Sequence, residues 1–243
     1  MKSLTSPSAV RLPCSLLIKS HCYRNVVLGK EATTIRFGNL IDFPVQANTL
    51  ELTLYECTNI SAFQPNNSLK ALTVKFSKIT DPERLWSKHL QSFEVVQCEV
   101  PILRLIKLKG VAELRRLSLV GLHMKQSHLK VLLAMESQVT MLDLSMNREL
   151  GDHGFLMLLQ SPWIQRLTQL KMGGPDSGCS LTNHSIKLLL EHSSNVQGLY
   201  LLDLSWNHFD KEGYQLLAHC YEKVCSIYRI DLTRTGIDDP HPQ

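Results

Sequence analysis

The segment from Val139 to Gly154, VTMLDLSMNRELGDHG, returns as LYLLDLSWNHFDKEG from Leu199 to Gly213. Aligned on the shared LDLS, both copies carry apolar residues at the first, fourth and sixth positions and Asn at the ninth. These are Val139, Leu142, Leu144 and Asn147, then Leu199, Leu202, Leu204 and Asn207. Side chains two apart on a strand point to the same side, so positions four and six build a narrow apolar face that one unit cannot close alone. A chain made of such units is driven to stack them, each covering the next. Asn at position nine carries both a donor and an acceptor, which suits the point where the backbone turns off the strand.

From Thr49 the register continues through the chain. Position four falls at Leu52, Leu72, Phe93, Leu117, Leu142, Leu170, Leu202 and Ile230, and position six at Leu54, Val74, Val95, Leu119, Leu144, Met172, Leu204 and Leu232. The interval between units grows from 20 residues to as many as 32. Position nine runs Cys57, Ser77, Cys98, Leu122, Asn147, Pro175, Asn207 and Thr235, mostly groups that can hydrogen-bond a turn, with Leu122 and Pro175 as departures. The Gly-rich GGPDSG at Gly173 to Gly178 lacks the Lys-Ser or Lys-Thr of a phosphate loop and is expected to be an insertion that widens its unit. Residues 1–48 are expected to form an N-terminal cap, with TTIRFGNL as a degenerate first unit that turns Ile35 and Phe37 inward. Residues 49–243 then form an array of about eight units.

Between the later strands the periodicity changes from two to helical. HLKVLLAM carries Leu129, Leu132 and Leu133; FLMLLQS carries Phe155, Leu158 and Leu159; SIKLLLEH carries Ile186, Leu189 and Leu190; EGYQLLAHC carries Leu216 and Leu217. Such stripes predict helices with one buried face, with Asp152, Asp210 and Asp238 as helix starts. The short early units leave room only for a turn or a single helical turn.

Composition narrows the function classes. With 26 Lys and Arg against 22 Asp and Glu, the net charge of +4 is modest and scattered, so no nucleic-acid partner is expected. Of the seven cysteines, Cys57, Cys98 and Cys220 fall at repeat positions that should be buried, and read as core groups rather than disulfides. No apolar run approaches a membrane span, and SLLI at Ser15 to Ile18 is too short for a signal-peptide core. A cytoplasmic chain is expected, with the nucleus as an alternative. The first thirty residues carry Lys2, Arg11, Lys19, Arg24 and Lys30 and no acid, a composition shared with organelle transit peptides, which is the lesser reading.

From about Thr49 to Asp239 these units resemble leucine-rich-repeat proteins. The longer C-terminal units are similar to the ribonuclease-inhibitor-like subfamily. ITDPERL after LTVKF is similar to the cysteine-containing repeats of F-box-type substrate receptors, and GDHGFLMLLQSPWIQRLTQL to bacterial repeats of the same class. The resemblance implies an α/β solenoid: a curved parallel sheet on the concave face, with helices and turns on the convex face. The cysteine-rich flanking caps usual in extracellular members are not found in the sequence, which fits the intracellular expectation.

In such a fold, positions three, five, seven and eight face the concave side. Columns seven and eight then place Tyr55, Phe76, Val96, Val120, Met146 and Trp206, apolar or aromatic, where solvent is the default neighbour. A patch of this kind usually marks a binding site, and aromatic side chains are the usual anchors. Glu94, Asp143, Asp203 and Asp231 in column five and Arg234 in column eight complete the candidate partner-binding set. Against this stands the plainer reading that some of these side chains pack on loops and that Asp within LDLS is scaffold. No catalytic residue, cofactor or metal site is expected: His219, Cys220 and Cys225 match no zinc spacing, and His184 and His192 flank a helix without a nucleophile. The expected function is a non-enzymatic module that binds a protein partner, as adaptor, substrate receptor or inhibitor. The alternative is a structural subunit of a larger complex, and an enzyme is a remote third.

Overall fold

A computed structural model describes residues 33–36, 51–56, 67–175, 178–223, 227–233 and 235. The chain divides into two compact units, Met1–Gly110 and Val111–Gln243. In the first, four parallel strands follow in chain order: β1 (Thr33–Arg36), β2 (Glu51–Tyr55), β3 (Ala71–Lys75) and β4 (Ser92–Val96). In the second, five more do the same: β5 (Arg116–Val120), β6 (Met141–Asp143), β7 (Gln169–Lys171), β8 (Leu201–Asp203) and β9 (Arg229–Asp231).

The period-two pattern accounts for this pairing. In the first unit Leu52, Leu72 and Phe93 are register partners in one line, and Leu54, Val74 and Val95 in the next. In the second, Leu117, Leu142, Leu170, Leu202 and Ile230 are aligned in the same way. From Leu52 to Leu204, every position-four and position-six residue is at most 1% exposed. Slipping any strand by one residue would turn that whole column to solvent, so the register is strongly fixed. Ile35 pairs with Leu54, at position six of the degenerate unit anticipated around it, while Thr33 occupies position four. The remainder of the expected cap, together with Cys57 and Asp238, lies outside the described residues.

What returns the chain to the next strand depends on unit length, as the spacing predicted. The first compact unit uses a 3₁₀ turn at Pro82–Leu85 and the five-residue helix α1 (Ile102–Ile106). The second uses α2 (Gln126–Leu133), α3 (Gly151–Leu159), α4 (Asn183–Glu191) and α5 (Lys211–Lys223). Their buried faces carry the expected residues, among them Leu129, Leu132, Phe155, Leu158, Ile186, Leu189 and Leu217, while Leu133, Leu190 and Leu216 are only half-buried. Asp210 starts α5 by accepting the amides of Glu212 and Gly213 at 2.8 and 3.3 Å. The Asn183 amide and these backbone donors hold its carboxyl below the usual carboxylate range. Asp152 lies inside the first turn of α3, and its carboxylate reaches the next unit, accepting from the Thr182 amide (2.8 Å), the Thr182 hydroxyl (2.7 Å) and the Ser185 hydroxyl.

Position nine joins one repeat to the one before. Asn147 is fully buried; its amide group donates to the carbonyls of Leu119 (2.7 Å), Leu144 (2.8 Å) and Ser145 (3.3 Å). Its carbonyl accepts from the backbone of Leu122 and Met124, both at 3.0 Å. Asn207 repeats the pattern on Met172, Leu204, Ser205, Cys179 and Leu181. In the first compact unit a thiol takes the place: Cys98 donates to Val74 O and Val96 O at 3.4 and 3.3 Å and accepts from the Ser77 amide.

Candidate interaction face

Because positions four and six face the core, the intervening residues form the opposite face of each sheet. In residues 1–110 this face carries Tyr55, Phe76 and Val96. The rings of Tyr55 and Phe76 meet edge to face, with centroids 5.2 Å apart at 60°. Phe76 is 45% exposed and Val96 is half-buried. Beside them Lys75 and Glu94 are paired at 2.9 Å, and Glu94 also accepts from the Thr73 hydroxyl at 3.4 Å. The patch is thus apolar with a neutralised charge pair at its side.

Column eight has a backbone property not anticipated from composition. Glu56, Phe76, Gln97, Gly121, Met146, Gly174 and Trp206 all have positive φ, between 47° and 99°. Five of their amides bond across to the position-seven carbonyl of the next repeat: Glu56 to Lys75, Phe76 to Val96, Gly121 to Ser145, Met146 to Gly173 and Trp206 to Thr233, at 2.9 to 3.0 Å. Each of these seven residues therefore turns the chain off its strand in a left-handed conformation that costs a non-glycine residue about 1–2 kcal/mol. Two glycines in the column, Gly121 and Gly174, were the sequence signal for it.

In residues 111–243 the predicted face residues are less exposed. Met146 and Trp206 are half-buried, as is Val120. A Cβ built on Gly174 would lie 2.9 Å from Met146 Cγ, so the missing side chain provides the space in which Met146 packs. Asp143, Lys171, Asp203 and Asp231 are successive register partners across the sheet. The three aspartates also brace their own turns: Asp143 accepts from the Ser145 amide, Asp203 from the Ser205 amide and hydroxyl, and Asp231 from the Thr233 amide, at 2.7 to 3.0 Å. Burial pushes the Asp143 carboxyl above its usual range, against the pull of the Ser145 bonds and Lys171. Burial also raises Asp231, but the Thr233 bonds and Arg229 outweigh it and leave that carboxyl below its usual value. Arg234 lies outside the described residues.

Three further features were not foreseen. Cys179, four residues beyond Pro175, takes the position-nine role in its repeat: its thiol donates to Leu144 O at 3.1 Å, and burial pushes its pKa up to about 12. The GGPDSG insertion displaces the residue that makes the bond. Tyr200 and Tyr228, at position two of their repeats, stack with centroids 5.3 Å apart and planes 6° from parallel, although they are 52% and 76% exposed. A depression beside α1, lined by Leu103, Arg104, Lys107 and Leu108, is walled by ion pairs of Arg104 with Asp81 and Glu83, both at 2.7 Å.

The buried thiols of Cys98 and Cys179 are held protonated and are poor nucleophiles. Among the described residues no group of three or more His, Cys, Asp or Glu side chains is placed to hold a metal ion, and no helix is long and apolar enough to cross a membrane.

Taken together, the units define a repeating α/β fold with all-parallel pairing, solenoid-like in its strand order. No family model and no curated protein matches the chain. Among solved structures, the crystal structure of a Bacteroides fragilis protein, a structural genomics target, is similar with a TM-score of 0.51. The match spans 79% of this chain and 67% of that one at 10% identity. At that identity the likeness shows the fold alone.

Proposed function

We propose that this chain is a leucine-rich-repeat protein whose exposed sheet face binds a protein partner without catalysis, as an adaptor, substrate receptor or inhibitor. The single observation that supports it best is the exposed Phe76 ring, met edge to face by the half-buried Tyr55 and flanked by Val96 and the Lys75–Glu94 ion pair. Phe76 adopts a left-handed backbone at φ 51° and still presents a large apolar side chain to solvent. Neither folding nor local conformation asks for that residue there, whereas an interface anchor does. A sheet braced by position-nine bonds is preorganised, so docking loses little conformational entropy.

The competing reading is a structural subunit that engages its helical side, favoured by the exposure of Leu103 on α1 and Tyr214 on α5. Phe76 and Leu103 are each 45% exposed, which allows a matched comparison. Phe76→Ser and Leu103→Ser should both leave the fold intact by circular dichroism. In quantitative affinity capture from native lysate, loss of a specific partner with Phe76→Ser alone is the expected result. Loss with Leu103→Ser alone would overturn the sheet-face assignment in favour of the subunit reading.

A further inference from the structure

On the sheet face of residues 1–110, Glu56, Phe76 and Gln97 stand side by side in column eight, and all three are exposed. Their left-handed backbones match, at φ 53°, 51° and 47°, and the amides of Glu56 and Phe76 bond to the carbonyls of Lys75 and Val96 at 3.0 and 2.9 Å. The parallel pairing of β2, β3 and β4 therefore runs on through these positions and sets Glu56 one strand from Phe76, about 4.8 Å away. The charges around Phe76 are not balanced. Among the described residues of β2 to β4 and the column-eight residues that follow them, Lys75 is the one cation, and Glu94 takes it at 2.9 Å. Lys78, two residues past Phe76, is taken by Glu99 at 2.8 Å. The carboxylates of Glu51 and Glu56, at the two ends of the β2 segment, are exposed and make no ion pair or hydrogen bond.

We infer that the partner docks on this face through an arginine side chain, its guanidinium over the Phe76 ring and its N–H groups on the Glu56 carboxylate. The inference rests on the sheet-face reading above and names the chemistry that face takes. Any surface that covers Phe76 also takes water from Glu56, one strand away. A carboxylate dried without a counter-charge is costly, so a purely aliphatic anchor fits the ring and leaves the acid uncompensated. A guanidinium serves both groups: it is flat and weakly hydrated, it stacks on an aromatic face, and it donates in its own plane to a carboxylate. A lysine ammonium is a compact, strongly hydrated point charge and serves the ring less well. Tyr55 meets Phe76 edge to face at 60°, which steadies the ring while Phe76 stays 45% exposed. An acidic segment is turned away by Glu51 and Glu56, since Lys75 is already engaged by Glu94.

Two capped tripeptides, Leu-Arg-Leu and its neutral isostere Leu-citrulline-Leu, serve as probes in NMR titrations of the full chain with isotope-labelled phenylalanine. The Phe76 ring signals should shift saturably with the arginine peptide in the millimolar range, and the citrulline peptide should bind at least about threefold more weakly. Glu56→Gln, which changes an exposed and unpartnered side chain, should weaken the arginine peptide at least about threefold and leave the citrulline peptide as it was. No saturable shift at Phe76, equal affinity for the two peptides, or a preference that survives Glu56→Gln would each overturn the inference. Capture from native lysate separates its failure from that of the reading beneath it. A partner lost with Phe76→Ser but retained by Glu56→Lys overturns the arginine assignment and leaves the sheet-face reading standing, whereas a partner indifferent to Phe76→Ser overturns both.

Discussion

Replacing Asn147 separates a bond that organises the repeats from one that merely decorates them. Asn147 is fully buried and makes five hydrogen bonds: it accepts from the amides of Leu122 and Met124 and donates to the carbonyls of Leu119, Leu144 and Ser145. In Asn147→Ala the two amides lose their acceptor in the interior, at about 1–2 kcal/mol each, and the small cavity adds about 1 kcal/mol. The carbonyls suffer less, since each has a second lone pair; Leu144 O already accepts from Cys179 as well. A loss of about 3–5 kcal/mol follows. Asn147→Cys should lose about half as much, because Cys98 and Cys179 serve in the same place with a thiol. Asn147→Asp keeps the acceptor but sets a buried carboxylate against three carbonyls, so at pH 7 it should lose at least as much as the alanine variant. The part of its penalty that comes from ionisation should vanish below the unfolded carboxylate pKa of about 4, where both states are protonated, and grow as pH rises toward the higher folded pKa. Urea unfolding with an unchanged m value reads these differences. An alanine variant within about 1 kcal/mol of the parent, or an aspartate variant milder than the cysteine one at pH 7, would refute the reasoning.

Other positions give smaller, signed effects. Gln97 is exposed with φ 47°, so Gln97→Gly should stabilise the chain by about 0.5–1 kcal/mol in urea unfolding, against the usual direction for glycine. The Thr235 hydroxyl is buried at a residue 3% exposed and has no hydrogen-bond partner. Thr235→Val keeps the shape and should raise the melting temperature, by about 1 kcal/mol of stability, where a strong bond at that hydroxyl would produce a loss. Burial raises the Asp143 carboxyl, so its contribution to stability is present below the unfolded pKa and is lost as pH rises through the folded one. Asp143→Asn keeps an acceptor for Ser145; it should therefore be more stable than the parent at pH 7 and equal to it near pH 3, and the same difference at both pH values would count against burial as the cause.

Positions four and six were legible because one-sided burial of a strand forces a period of two, and no neighbouring contact can override it. Asn147 and Asn207 were legible for a similar reason: few side chains can both donate and accept where a strand ends. Cys179 was not, because counting along the chain puts position nine at Pro175, whereas the bond-making residue falls four places later. The left-handed backbone of column eight was hidden by its side chains, since Glu56, Phe76, Gln97, Met146 and Trp206 share no property that favours positive φ. In Glu56, Phe76, Met146 and Trp206 that conformation goes with an amide bond to the next repeat, a tertiary cause. Met146 shows the cost of reading a face from alternation alone: whether it points to solvent depends on the glycine beside it. The Tyr200–Tyr228 stack lies at position two, outside the columns that the repeat pattern singles out.

Site-specific photocrosslinking tests the sheet-face assignment most directly. A benzophenone side chain is placed at Phe76 in one sample and at Leu103 in another, and each is irradiated in native lysate. The account predicts a discrete protein adduct from position 76 that is absent or much weaker from position 103, with the crosslinked peptide of the partner identified by mass spectrometry. Adducts from position 103 alone would contradict it and place the partner on the helical side.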